Sequence, residues 1–180
     1  MPSTSRRETH SMAPDDHASK TSNWLFVGPS EINGFGLFSR KPISCGAVVG
    51  RLGGVILAAA NKRTIQIGRH RHLCSNVIDF LNHSCHPTAY VRVECEAIIL
   101  TALAEIGGET DEITVDYNCS EYSLAERFMC RCCRKPNYIA GYRYLTETNQ
   151  YGYLRSLGPF LLSHLVHTSG VNRMLPNKPC

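Results

Sequence analysis

From Trp24 to Tyr117 the chain carries brief apolar runs broken by Gly, Pro and Ser, with no long stripe at helical spacing. WLFVG (24–28), GLFS (36–39), AVVG (47–50) and GVILAA (54–59) each have the length of a short strand. TIQIG (64–68) alternates apolar and polar positions, as does AYVRVEC (89–95). In the latter, Ala89, Val91, Val93 and Cys95 point one way and Tyr90, Arg92 and Glu94 the other, which predicts a half-buried strand. AIILTAL (97–103) follows within a turn's length and is expected to pair with it, and EITVDY (112–117) reads as a further strand. The pattern changes beyond Glu147. Leu154, Leu157, Leu161 and Leu165 recur at helical spacing, and Gly158-Pro159 interrupts them because proline removes a backbone donor. A mostly β fold of small twisted sheets with short helices is therefore expected, followed by a C-terminal helical extension over 146–180 with a frayed end.

Composition narrows this picture. At 180 residues, 43% hydrophobic and 19% charged, the chain suits one soluble domain with short appendages. No apolar run reaches the roughly 20 residues of a membrane span, so no membrane partner is expected. Residues 1–23 are rich in Ser, Thr, Pro and mixed charge; they have no apolar segment of a secretory signal and read as a disordered tail. Nine cysteines, an odd number, argue against a disulfide framework and for a reducing, intracellular setting, cytoplasmic or nuclear. The net charge of +4 is modest. Its densest basic stretch is Lys62, Arg63, Arg69, His70, Arg71 and His72, interrupted by Thr64–Gly68 and without interleaved aromatics. It reads as a solvated strand edge, and nucleic acid binding is not indicated.

Three separated stretches carry candidate chemistry. GFGLFS (34–39) offers two glycines that let backbone approach a ligand closely. FLNHSCHP (80–87) sets an amide, an imidazole, a hydroxyl and a thiol directly after an apolar run, where unpaired polar groups would each cost roughly 1–3 kcal/mol. EITVDYN (112–118) ends a strand-like run on Tyr117, and the cysteine cluster FMCRCC follows at 128–133. Each stretch alone has an ordinary structural explanation: a tight turn, a core histidine, a core strand.

Together and in this order they resemble the SET domain, the fold of most protein-lysine methyltransferases that use S-adenosylmethionine. TIQIGRHRHL and YIAGYRYL look like the compact microbial and fungal members of that family. The resemblance implies a β-clip-like fold with a pseudoknot, in which Asn82–Cys85 is threaded beneath the segment bearing Tyr117. It places a SET domain at 24–127 and a degenerate cysteine-rich tail at 128–145. It implies a catalytic Tyr117, and a cofactor held by Gly34, Phe35, Gly36, Asn82 and His83. A narrow apolar substrate channel is also implied, with Val115, Tyr122, Tyr138 and Tyr142 as candidate walls. Val115 stands where many relatives carry the Phe or Tyr that limits methyl number.

The chain departs from the family's pattern at three points. Thr88 replaces the asparagine that commonly follows Asn-His-Ser-Cys-x-Pro, and the loop before EITVDY is two residues longer. In the tail, Cys130 and Cys132 match the first two zinc thiols and Cys85 their partner, but Asn137 stands in place of the fourth. Cys133 is the spare thiol, and whether zinc binds stays open, since a closed tetrahedral site needs four ligands. The expected function is methyl transfer to the side-chain amine of a protein lysine, a histone among the candidates. A SET-like scaffold acting on a small molecule and a noncatalytic binding module are the alternatives.

Overall fold

The computed structural model describes residues 23–134 and 136–150. The disordered tail expected at 1–23 and the leucine-spaced helices expected after Glu147 lie outside these residues, save Asn23 and the start of a helical turn at 147–150. Among the described residues, ten short strands form four small antiparallel sheets. β1 (Leu25–Pro29) pairs with β2 (Phe35–Ser39) around the glycine turn. β3 (Val48–Leu52), β8 (Ala97–Ala102) and β7 (Ala89–Glu94) make a three-stranded sheet with β8 in the middle. β4 (Val55–Leu57), β6 (Arg71–Cys74) and β5 (Thr64–Gly68) make a second, centred on β6. β9 (Phe128–Met129) and β10 (Tyr138–Ile139) form the smallest.

The patterns explain most of these elements. β7 buries Ala89 and Val91 and exposes Arg92 and Glu94, as its alternation requires, while the central β8 is buried along its whole length. A two-residue turn joins them through Cys95 and Glu96, both left-handed (φ 45° and 62°), the geometry that matches strand twist in a tight hairpin. β6 grows out of the basic stretch: Arg71 is exposed, but His72 and Leu73 are buried. The edge expected there is a central strand, because β4 and β5 cover it from both sides.

The 112–117 run is not a ladder strand. Ile113 makes one antiparallel bridge to Leu37, and Val115 makes one parallel bridge to His83. Thr114 and Asp116 are buried together with Ile113 and Val115, so the run is enclosed on both faces. It ends in a single helical turn, α1 (Tyr117–Ser120), capped by the Asp116 carboxylate, which accepts from the Asn118 N–H at 2.9 Å. Leu37, Val49, Leu52, Leu73, Ile98, Leu100 and Ile113 join residues from all three larger sheets in one core. That core fixes the places where the 80–87 and 112–121 segments cross.

Candidate active site

Residues 82–84 lie alongside Val115, held by two backbone hydrogen bonds. Ser84 N–H donates to Val115 O (3.0 Å), and Val115 N–H donates to Asn82 O (3.1 Å). Thr88 extends the clamp, its hydroxyl donating to Glu112 O at 2.9 Å and accepting from Thr114 N–H at 2.9 Å. The threonine that departs from the family's asparagine thus still ties the two segments together.

On the other side of Asn82 stands the glycine turn. Gly34 adopts φ +53°, a left-handed conformation that favours glycine. Gly36 is needed for a different reason: a Cβ there would overlap the Glu112 side chain. The Glu112 carboxylate accepts from Ser30 Oγ and from Asn82 Nδ2, each at 2.7 Å, and Asn82 Nδ2 also reaches Phe35 O at 3.0 Å. One carboxylate thereby joins Ser30, just beyond β1, to the 82–84 segment. Nothing in the sequence pattern singles out Glu112, since its partners are 30 and 82 residues away.

These segments border a cleft of about 990 Å³, large enough for a nucleoside-sized ligand together with an extended side chain. Asn82, His83, Val115 and Tyr117 line it, with Phe80, Leu81, Glu121, Leu124, Phe128 and Cys130. Gly34, Phe35 and Gly36 stand beside Asn82; Ile32 and Asn33 of the same turn reach the cleft wall. Tyr122, Tyr138 and Tyr142 do not line it. Tyr142 is fully buried in the core, Tyr138 is 61% exposed on β10, and Tyr122 lies under the Arg143 guanidinium. Phe128 supplies an aromatic wall instead: its ring is edge-on to His83 and Tyr117, with centroids 5.8 and 5.9 Å away.

The Tyr117 hydroxyl donates to Leu81 O at 2.8 Å, so its oxygen lone pairs remain for the cleft. Burial, helped by the charges of Glu121 and Glu112, pushes the phenol well above its usual range and keeps it neutral. His83 is held neutral too, its pKa lowered by burial to about 4. Its Nδ1 accepts from Tyr117 N–H (3.2 Å), which places the ring proton on Nε2, 3.4 Å from Cys85 Sγ. Because Val115 bonds to the residues on either side of His83, the backbone N–H and C=O of His83 are turned away from Val115; no hydrogen bond engages them among the described residues.

Next to the cleft the sulfurs of the 128–133 segment meet Cys85. Cys85 Sγ is 3.8 Å from Cys130 Sγ, Cys132 Sγ is 3.8 Å from Cys133 Sγ, and Cys85 N–H donates to Cys132 Sγ at 3.2 Å. His83, Cys85, Cys130 and Cys132 have donor atoms all within 4.8 Å of one another. Asn137, in the place of the family's fourth thiol, donates its backbone N–H to Cys130 Sγ (3.0 Å) and its amide to Cys85 Sγ (3.4 Å).

Glu121 is the other feature missed from sequence. It is 4% exposed, its Oε1 accepts from Gln66 N–H at 2.8 Å, and burial raises its pKa to about 8. Only the three-dimensional approach of β5 to the end of α1 reveals it.

Residues 34–118 match the family model described as the SET domain. A search of curated proteins finds no match. Among solved structures, the chain is similar to a candidate histone methyltransferase of Plasmodium falciparum at 23% identity and TM-score 0.44, over 52% of this chain and 91% of that one. It is similar to KRYPTONITE, solved with mCHG DNA and SAH, at 24% identity and TM-score 0.49, over 62% of this chain and 28% of that one. It is also similar to a humanized mutant of the Chaetomium thermophilum Polycomb Repressive Complex 2 bound to the inhibitor GSK126, at 16% identity and TM-score 0.45, over 52% of this chain and 14% of that one.

The raised pKa of Glu121 has a consequence for stability. Between the ordinary carboxyl value of 4.5 and about 8, the folded chain holds a proton on Glu121 that the unfolded chain has lost. Its contribution is therefore full below pH 4.5 and falls as pH rises through that window, by up to about 1.4 kcal/mol per pH unit. Glu121→Gln should remove this component, so that urea midpoints measured from pH 5 to 8 decline less steeply than in the parent. Superimposable pH profiles would contradict the assignment.

Proposed function

From the match of residues 34–118 to the SET domain model, we propose that the protein transfers a methyl group from S-adenosylmethionine to the side-chain amine of a lysine in a protein substrate. The observation that carries the reading is the meeting, in one cleft, of Asn82, the free His83 backbone groups and the Tyr117 phenol, with the glycine turn braced behind Asn82. The residues present fit the cofactor: the His83 N–H and C=O suit an adenine edge, and Asn82 holds the turn beside it. Bound there, S-adenosylmethionine would supply a sulfonium-activated methyl, so the chain needs no nucleophile of its own.

What the chain's residues do is position and desolvate. Tyr117 has committed its proton to Leu81 O, so its oxygen acts as an acceptor that orients an incoming amine; being neutral, it does not serve as a base. Alignment of this kind can lower a barrier by roughly 7–11 kcal/mol. Leu124, Val115 and Phe128 give the cleft apolar surface beside Tyr117, which disfavours a charged ammonium. The aliphatic Val115 lines the cleft with Tyr117 and leaves product multiplicity open.

We infer further that the tail holds one zinc ion through Cys85, Cys130, Cys132 and Cys133. A Zn–S bond of about 2.3 Å implies tetrahedral S···S edges near 3.8 Å, the separation found for two of the six sulfur pairs, Cys85–Cys130 and Cys132–Cys133. His83 is near enough to be a ligand, but its Nδ1 is already an acceptor, so ligation through Nε2 would require an imidazolate. It serves as a donor to the Cys85 sulfur instead, and Cys133 completes the set. The ion would bind the Phe128 wall to the threaded segment.

Two measurements test these readings. Purified protein incubated with S-adenosylmethionine labelled in the methyl group should label histones or proteins of a cell extract, and Tyr117→Phe should lose at least ~100-fold in rate while still binding cofactor. Label appearing only in small molecules, or unchanged transfer by the variant, would overturn the reading. Metal analysis should find one zinc per chain, lost in Cys133→Ser and kept in His83→Gln. The reverse outcome would assign the fourth ligand to His83.

A further inference from the structure

Buried carboxyls are costly unless something uses their charge. Among the described residues the Glu121 side chain accepts one hydrogen bond, from Gln66 N–H to Oε1, and a glutamine carbonyl at this position would accept it equally well. Gln66 in turn accepts from Tyr122 N–H through its own side chain (2.8 Å), so the local fold needs acceptors here and no ionisable group. Yet Glu121 lines the same cleft as Tyr117, and its backbone N–H is bonded to Tyr117 O at 2.9 Å. Ser120, between them, places a buried hydroxyl with no hydrogen-bond partner among the described residues, and it also lines the cleft.

The charges around the cleft sharpen the point. Its lining includes four cations, Lys62, Arg63, Arg127 and Arg131, against Asp79, Glu126 and Glu121. Asp79 is engaged with Arg63 at 3.2 Å, and Glu126 is exposed. A positively charged substrate amine approaching Tyr117 therefore passes a net basic rim, and Glu121 is the buried carboxyl that can receive it.

We propose that Glu121 is the amine-recognition residue of this cleft: it pairs with the substrate's primary ammonium and takes its proton, leaving a neutral amine against the Tyr117 oxygen. The inference rests on the methyl-transfer reading and adds the missing proton acceptor. In the first step the carboxyl releases its resting proton to solvent and pairs, as a carboxylate, with the entering ammonium. In the second, one N–H bond breaks and an O–H bond forms on the carboxylate, so that R–NH3+ and COO− become R–NH2 and COOH. Net, one proton passes from the ammonium to solvent, and charge is conserved at each stage. The substrate class is an unbranched primary amine on an alkyl stem, with neutral or acidic surroundings tolerated by the basic rim.

The probe is n-butylammonium chloride, with n-butanol as its neutral counterpart, titrated by NMR into the full chain with S-adenosylhomocysteine present. The parent should bind butylammonium more tightly than butanol, and Glu121→Gln should weaken butylammonium about tenfold while leaving butanol unchanged. Equal butylammonium binding by parent and variant, or none by the parent, would overturn the proposal. The glutamine preserves the acceptor for Gln66 N–H, and unchanged S-adenosylhomocysteine binding by the variant verifies an intact site. If neither protein binds S-adenosylhomocysteine, the methyl-transfer reading fails, while the amine comparison, repeated without it, still judges Glu121.

Discussion

The structure depends on a single crossing: residues 82–84 run parallel to Val115 and exchange two backbone hydrogen bonds with Val115. Each such bond is worth only about 0.5–1.5 kcal/mol net, yet the pair sets the relative position of everything that follows. Two residues beyond Val115 comes Tyr117, whose hydroxyl returns to Leu81 O and whose N–H meets the His83 ring. Two residues beyond Val115's partner His83 comes Cys85, whose sulfur reaches the tail. Glu112 at the start of the same run binds Asn82 and Ser30 and leaves space only for glycine at 36. Asn82, the Tyr117 phenol and the thiol cluster are thus located by one contact rather than three.

This economy accounts for the small sheets. Among the described residues no sheet has more than three strands, and no helix is long enough to build a binding surface alone. Rigidity at the cleft comes from segments that brace one another through hydrogen bonds spanning 24 to 82 residues of sequence. Long-range contacts of this kind are slow to form, but once made they enclose the 112–117 run on both faces. Enclosure also shifts the titrating groups: Tyr117 and Glu121 are pushed toward their neutral acids and His83 toward its neutral base.

Local pattern made the paired strands legible. The alternation of β7 and the continuous apolar run of β8 both reflect what a half-buried and a central strand must bury. Asn82, His83 and Tyr117, carried by separate motifs, all line one cleft. β6 was hidden because Arg71 and His72 read as solvated, whereas β4 and β5 bury His72 from both sides. The 112–117 run imitates a strand through Ile113 and Val115, and only threading turns it into two isolated bridges. Tyr122, Tyr138 and Tyr142 have the chemistry of channel walls but not the placement. Glu112 and Glu121, two ordinary glutamates in the sequence, owe their importance to partners 30 and 55 residues distant.

The crossing itself is open to direct measurement by amide hydrogen exchange. If the bridge holds the molecule together, the Ser84 and Val115 amides should be among the slowest to exchange, opening only with global unfolding and with the same denaturant dependence. Exchange of these two amides through a low-energy local opening, while the β7–β8 hairpin stays protected, would contradict the account.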